Sequence, residues 1–156
     1  METAALLVKR ENLQSYVDEI LRKEKAIIED LETILPHIKT ESIRKPVEKR
    51  LNQGKEAIQA LEAGFVPLSS GYFTKVDTKS KWQQKLVKET LATMPPEVKE
   101  IWDKVKAQGV FDTFAVTVRG GGDPLLVGKK GKRYFFIAGW LPVTQGVNLG
   151  FRIKMP

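Results

Sequence analysis

The chain contains no cysteine and one histidine, and no apolar run in it approaches the roughly 18 residues that a membrane span requires. Without cysteine it has no disulfides, no thiolate zinc sites and no cysteine nucleophile, which fits a cytoplasmic setting. His37 has no second histidine or cysteine with which to build a metal site or a triad, and beside Pro36 it reads as a polar turn residue. The start, residues 1–8, lacks a basic leader and a small-residue cleavage site, so a signal peptide is not expected. Acids are scarce near the end. Residues 109–156 carry 7 Lys and Arg against 2 Asp and Glu, whereas residues 1–64 carry 11 against 12 and residues 65–108 carry 8 against 5. The net charge of +7 therefore concentrates in the last third, and any anionic partner should be drawn there. Asp112 and Asp123, the only acids after Asp103, sit at strand or loop edges, where Asp serves more often as a turn former than as an acid or base.

With 156 residues and 42% hydrophobic content, the chain can bury a core as one domain, or as a small domain with an appendage. Its strongest pattern runs over residues 6–38. Leu6, Leu13, Ile20, Ile27 and Ile34 recur every seven residues, with Val17, Leu31 and Ile38 between them and Leu7, Leu21, Ile28 and Leu35 alongside. This spacing predicts one long amphipathic helix whose apolar face is wider than a two-stranded seam, interrupted only at Arg10 and Glu24. Pro36 should end it, and Thr40 or Ser42 should cap a second helix with Ile43, Val47, Leu51, Gly54, Ile58, Leu61 and Phe65 on one face. A short link between two such helices predicts an antiparallel, coiled-coil-like helical hairpin over residues 1–63.

Gly64 and the Pro, Ser and Gly residues after it read as a linker, residues 64–78, with a weak strand at residues 72–76. Two amphipathic helices should follow, one carrying Trp82, Leu86, Val87, Thr90 and Leu91, the other Val98, Ile101, Trp102 and Val105. The β-branched and aromatic runs at 111–118, 125–127, 133–141 and 147–155 predict an antiparallel β-meander, so residues 79–156 should form an α+β domain. Both faces of the 133–141 strand are apolar, which places it at the sheet centre. The Gly120–Gly121–Gly122 run fits neither G-x-x-x-x-G-K-[ST] nor G-x-G-x-x-G before a helix, and is expected to be a plain loop.

A long helical hairpin followed by a compact domain is similar in outline to the bacterial transcript-cleavage factors, whose hairpin tip needs paired acids to hold a metal. Here the tip offers Glu41 alone among Lys39, Arg44 and Lys45, so neither that chemistry nor any metal or cofactor is expected. The surface signal that remains is a basic β-hairpin tip, Lys129, Lys130, Lys132 and Arg133, adjoining Tyr134, with Arg119, Arg152 and Lys154 in the same domain. Cations on a strand ribbon can track phosphates, and an aromatic face can stack on an unpaired base. The expected function is non-enzymatic binding. The hairpin would associate with itself or with a protein partner through Leu6, Leu13, Ile20, Leu21, Ile27, Ile28 and Leu35, and the basic domain would contact an anionic partner, DNA or RNA first. The alternative is an adaptor or inhibitor that binds only proteins, its lysines serving solubility; a membrane partner is not expected.

Overall fold

The computed structural model describes residues 2–68, 72–118, 124–140 and 147–149, with side chains described for 14–68, 72–117 and 124–140. It is a mixed structure of α-helices and an antiparallel sheet, broadly α+β. In chain order the elements are α1 (Glu2–Ile34), a 3₁₀ turn (Leu35–His37), α2 (Glu41–Glu62), β1 (Val66–Leu68), β2 (Thr74–Lys75), α3 (Lys81–Ala92), α4 (Pro96–Gln108), β3 (Thr113–Val118), β4 (Pro124–Lys130), β5 (Arg133–Trp140) and β6 (Val147–Leu149). Among the described residues no helix is long and apolar enough to cross a membrane.

α1 ends one residue before the Leu35–Pro36 pair, because proline disfavours helical geometry in the residue preceding it. Thr40 takes the N-cap position of α2 with extended backbone, but its side chain makes no capping hydrogen bond. α2 closes with a Schellman motif: Phe65 N donates to Ala60 O at 3.1 Å and Gly64 N to Leu61 O at 3.0 Å, with Gly64 at φ 94°, where a Cβ would be strained. That turn drops Phe65, fully buried, into the core. α1 and α2 pack against each other and are tied by Lys25–Glu62 at 3.6 Å, Lys55–Glu32 at 3.6 Å and the buried pair described below.

The sheet order is β1-β5-β4-β3-β2, all antiparallel, and β6 pairs with the far end of β5 beyond β1. β5 therefore has three strand neighbours but stands next to the β1 and β6 edge, and β4, not the 133–141 strand expected at the centre, takes the middle of the order. A bulge shifts the β4–β5 register between Leu126, opposite Ala138, and Val127, opposite Phe136. The segment expected to be a linker, 64–78, supplies β1 and β2, which flank the sheet.

One buried cluster runs through the molecule, joining Val17 of α1, Ala57, Ala60 and Leu61 of α2, Val87 of α3 and Val98, Trp102 and Val105 of α4 to Val116, Leu126, Phe135, Ile137 and Trp140 of the sheet. Burial of each large apolar side chain stabilises the fold by about 1.5–3 kcal/mol, so this cluster joins the helical pair to the sheet energetically. Ile20 and Leu21 pack on its edge, so the wide stripe of α1 meets its second apolar partner within the same chain. Trp82 departs from expectation. It is 72% exposed, because Val87 sets the buried face of α3 and a residue five positions earlier lies about 140° away around the helix.

Candidate functional site

Residues paired across a ladder share a face, and successive residues alternate. This rule divides the predicted basic tip, because Lys130 pairs with Arg133 and Lys129 pairs with Tyr134. The first pair engages carboxylates. Lys130 Nζ lies 3.5 Å from Asp112 Oδ1, and Arg133 lies 3.9 Å from Glu24 Oε1. The turn is held by the same aspartate, since Gly131 N donates to Asp112 Oδ2 at 2.9 Å. That backbone N–H, against a smaller desolvation effect and aided by the charge of Lys130, holds the Asp112 carboxyl below its usual range. Asp112 is thus a turn former, as read from the sequence.

Glu24, the acid that interrupts the apolar stripe of α1, is buried at the junction of α1, α2 and the tip. Arg50 donates to its two carboxylate oxygens at 2.7 and 3.1 Å, a bidentate pair. The Arg50 guanidinium is pushed up from its ordinary pKa by that hydrogen bond. Gly54 makes room for it: a Cβ there would stand 2.7 Å from Glu24 Oε1 and 3.1 Å from Ile28. Neither Arg50 nor Arg133 is fully free to meet an outside anion.

Lys132, in the turn, is exposed and has no carboxylate partner among the described residues. It borders a shallow, open depression of about 470 Å³ between the tip and α2, where Lys45 and Lys49 stand with Glu48 and Glu56. Mixed signs and the Arg44–Glu48 pair at 2.9 Å make this depression a poor anion cradle.

The second pair, Lys129 and Tyr134, lies on the opposite side of the sheet. There Ala115, Leu125 and Val127 form a smaller buried cluster under Leu68, Phe73, Tyr134 and Phe136, and among the described residues no helix residue joins it. Phe73 stacks on Tyr134 with ring centroids 4.7 Å apart at 34°, and Lys129 Nζ lies 5.8 Å from the Tyr134 ring centre. Lys75 shares this face, since it pairs with Ala115. Phe73, Phe136 and Lys75 were not singled out from the sequence. The 134/136 alternation signals Phe136, but only the β2–β3 register places Lys75 there, and only the tertiary fold sets Phe73 on Tyr134.

The remaining predicted residues divide as well. Arg119, Arg152 and Lys154 lie outside the described residues, as do the side chains of Leu6 and Leu13. Of the association stripe, Ile20 and Leu21 pack on the core, Ile28 and Leu35 are partly buried, and Ile27 is exposed. Among the described residues, no three His, Asp or Glu side chains gather as they would to hold a metal ion. Compared with protein-family models, curated proteins and solved structures, the chain matches none of them.

Proposed function

We propose that this is a non-enzymatic binding protein that holds single-stranded nucleic acid against the sheet face whose apolar cluster, among the described residues, no helix residue joins. One observation carries the reading: three aromatic side chains, Phe73, Tyr134 and Phe136, stand on that face beside Lys129 and Lys75. Bases stack on aromatic faces whatever their identity, and lysines at the border follow the phosphates. The positive excess of residues 65–156 supplies the long-range attraction. Lys130 and Arg133, engaged by Asp112 and Glu24, serve to set the tip, and Lys132, without a carboxylate partner among the described residues, adds a charge at its end. In this reading residues 1–63 act as a helical hairpin, in a cytoplasmic setting, that presents a binding domain of residues 79–156 completed by β1 and β2 from the segment before it.

Fluorescence anisotropy with labelled single- and double-stranded DNA and RNA at low and near-physiological salt tests it. Binding should favour single strands and weaken steeply with salt, and Lys129→Gln should flatten the log–log salt slope by about 0.7, the share of one phosphate contact on a single strand. Equal affinity for duplex and single strand would remove the stacking role of Tyr134. Absence of binding at low salt would remove the reading.

A second reading has its own observation. Ile27, Ile34 and Ile43 are 37%, 47% and 57% exposed on α1 and α2. If the protein is an adaptor, binding runs through these residues to another protein or a second copy of the chain, and its affinity is insensitive to salt.

A further inference from the structure

The three tryptophans differ in exposure: Trp140 is 2% exposed, Trp102 9% and Trp82 72%. A single exposed apolar residue is ordinary on a protein surface, but the surroundings of this one are not. Trp82 stands in the first turn of α3, and Lys79, Lys81 and Lys85, within three residues of it in the chain, are all exposed, with no carboxylate partner among the described residues. An indole that stays wet amid unpaired ammonium groups offers a stacking plane and charge for an anionic, ring-bearing ligand.

Its position relative to the sheet is fixed by the turn that follows β2. Thr113, the ladder partner of Lys129, donates to Asp77 at 3.3 Å, and Val76 N donates to Phe114 O at 2.8 Å, which clamps the turn to β3. On its other side Thr78 donates to the Gln83 side chain at 2.8 Å, and Gln84 donates back to Thr78 O at 2.7 Å, which clamps the same turn to the first turn of α3. The aromatic face of the sheet and the Trp82 surface are therefore joined around the β2 edge by a short, hydrogen-bonded bridge, with Lys75 on the near side and Lys79 on the far side. Asp77, an exposed acid on this route, accepts from Thr113 and keeps its charge, which Lys75, Lys79, Lys81 and Lys85 outnumber.

We propose that Trp82, with Lys79, Lys81 and Lys85, is a second stacking site for the same single strand, which leaves the sheet face past Lys75 and continues over the β2 edge onto α3. The proposal rests on the nucleic-acid reading above and adds a footprint to it: a short oligonucleotide fills the sheet face alone, and a longer one reaches Trp82. Because Trp102 and Trp140 are buried, acrylamide quenching of intrinsic fluorescence reports chiefly on Trp82.

The experiment pairs anisotropy of labelled oligothymidylate and oligouridylate of about 5 and about 15 nucleotides with acrylamide quenching of the unmodified protein and of Trp82→Ala and Trp82→Phe. The longer strand should shield Trp82 from acrylamide, and Trp82→Ala should weaken it about 5-fold or more, the loss of one stacked base, while leaving the short strand unchanged. Trp82→Phe, which keeps a ring, should recover most of that loss. If the long strand binds with Trp82 as quenchable as before and with equal affinity for Trp82→Ala, the second site is overturned and the sheet-face reading stands. If no strand binds at low salt, both fall. If phosphatidylglycerol vesicles shield Trp82 while the long strand leaves it quenchable, the surface belongs to a lipid headgroup and the proposal is overturned.

Discussion

Removing either partner of the Glu24–Arg50 pair should destabilise the protein unequally, and the direction follows from exposure. The Glu24 side chain is 7% exposed, while those of Arg50 and Arg133 are 39% and 35% exposed. Glu24→Gln leaves two guanidiniums that reach water, and the amide oxygen still accepts one hydrogen bond, so the cost should be about 1 kcal/mol, below the 1.5–3 kcal/mol of a full charged hydrogen bond. Arg50→Met leaves a buried carboxylate with only Arg133, 3.9 Å away, to compensate it, and the cost should approach about 3 kcal/mol, the lower end for breaking a buried pair. The double variant Glu24→Met/Arg50→Met leaves only Arg133 without its carboxylate, a guanidinium 35% exposed that reaches water, and should lie within about 1 kcal/mol of the unmodified protein. Urea unfolding followed by circular dichroism reads this directly, since a 3 kcal/mol loss moves the midpoint by about 1 M or more at ordinary slopes. Equal costs for the two single changes, or a double variant as unstable as their sum, would refute the argument that burial of Glu24 decides the asymmetry.

Gly54→Ala sets helix propensity, a gain of about 1 kcal/mol, against overpacking of Glu24 and Ile28, a cost of about 1–3 kcal/mol; the net in thermal melting should be destabilising. The tip should loosen in acid. The Asp112 carboxyl is held below its usual range in the fold, so its contribution is fully present above the unfolded value of about 3.9 and is lost as pH falls from there through the folded value. The difference in melting temperature between the unmodified protein and Asp112→Asn should therefore shrink on acidification from pH 6 toward pH 2; a constant difference would deny the linkage. Its size should be small, because the carboxyl is 57% exposed. Ile27→Lys and Ile34→Lys, at exposed positions, should leave urea stability within about 0.5 kcal/mol, whereas Val17→Lys should unfold the chain. Light scattering on the same Ile variants checks self-association: an oligomer of the unmodified protein that survives both changes would place the interface elsewhere.

Much of the fold was legible because local signals agree with it. Leu35–Pro36 ends α1 where a proline must, Gly64 and Gly109 stand at helix ends in the left-handed conformation, and Ser80 accepts from Gln83 N at the start of α3. Less legible was anything that depends on which residues meet across the fold. Glu24 reads along the helix as a break in a stripe, yet in space it is the buried anchor for Arg50 and Arg133, drawn from two other elements. Four adjacent basic residues read as one patch, yet strand alternation sends Lys130 and Arg133 to carboxylates and Lys129 to the other side of the sheet. Trp82 fits the apolar pattern of its helix and is nonetheless exposed, because the centre of a buried face is set by what packs on it.

The sequence by itself determined the four helices, the strands that follow them, the α+β class and the concentration of positive charge in the last third, but not β1, because periodicity, proline, glycine and charge act over a few residues. The tertiary structure alone decided that the helical pair shares its core with the sheet, that a segment resembling a linker closes both sides of that sheet, and that Phe73, Tyr134, Phe136, Lys75 and Lys129 share one face. Those outcomes follow from strand register and from burial between elements distant in sequence, and neither is encoded in any local window.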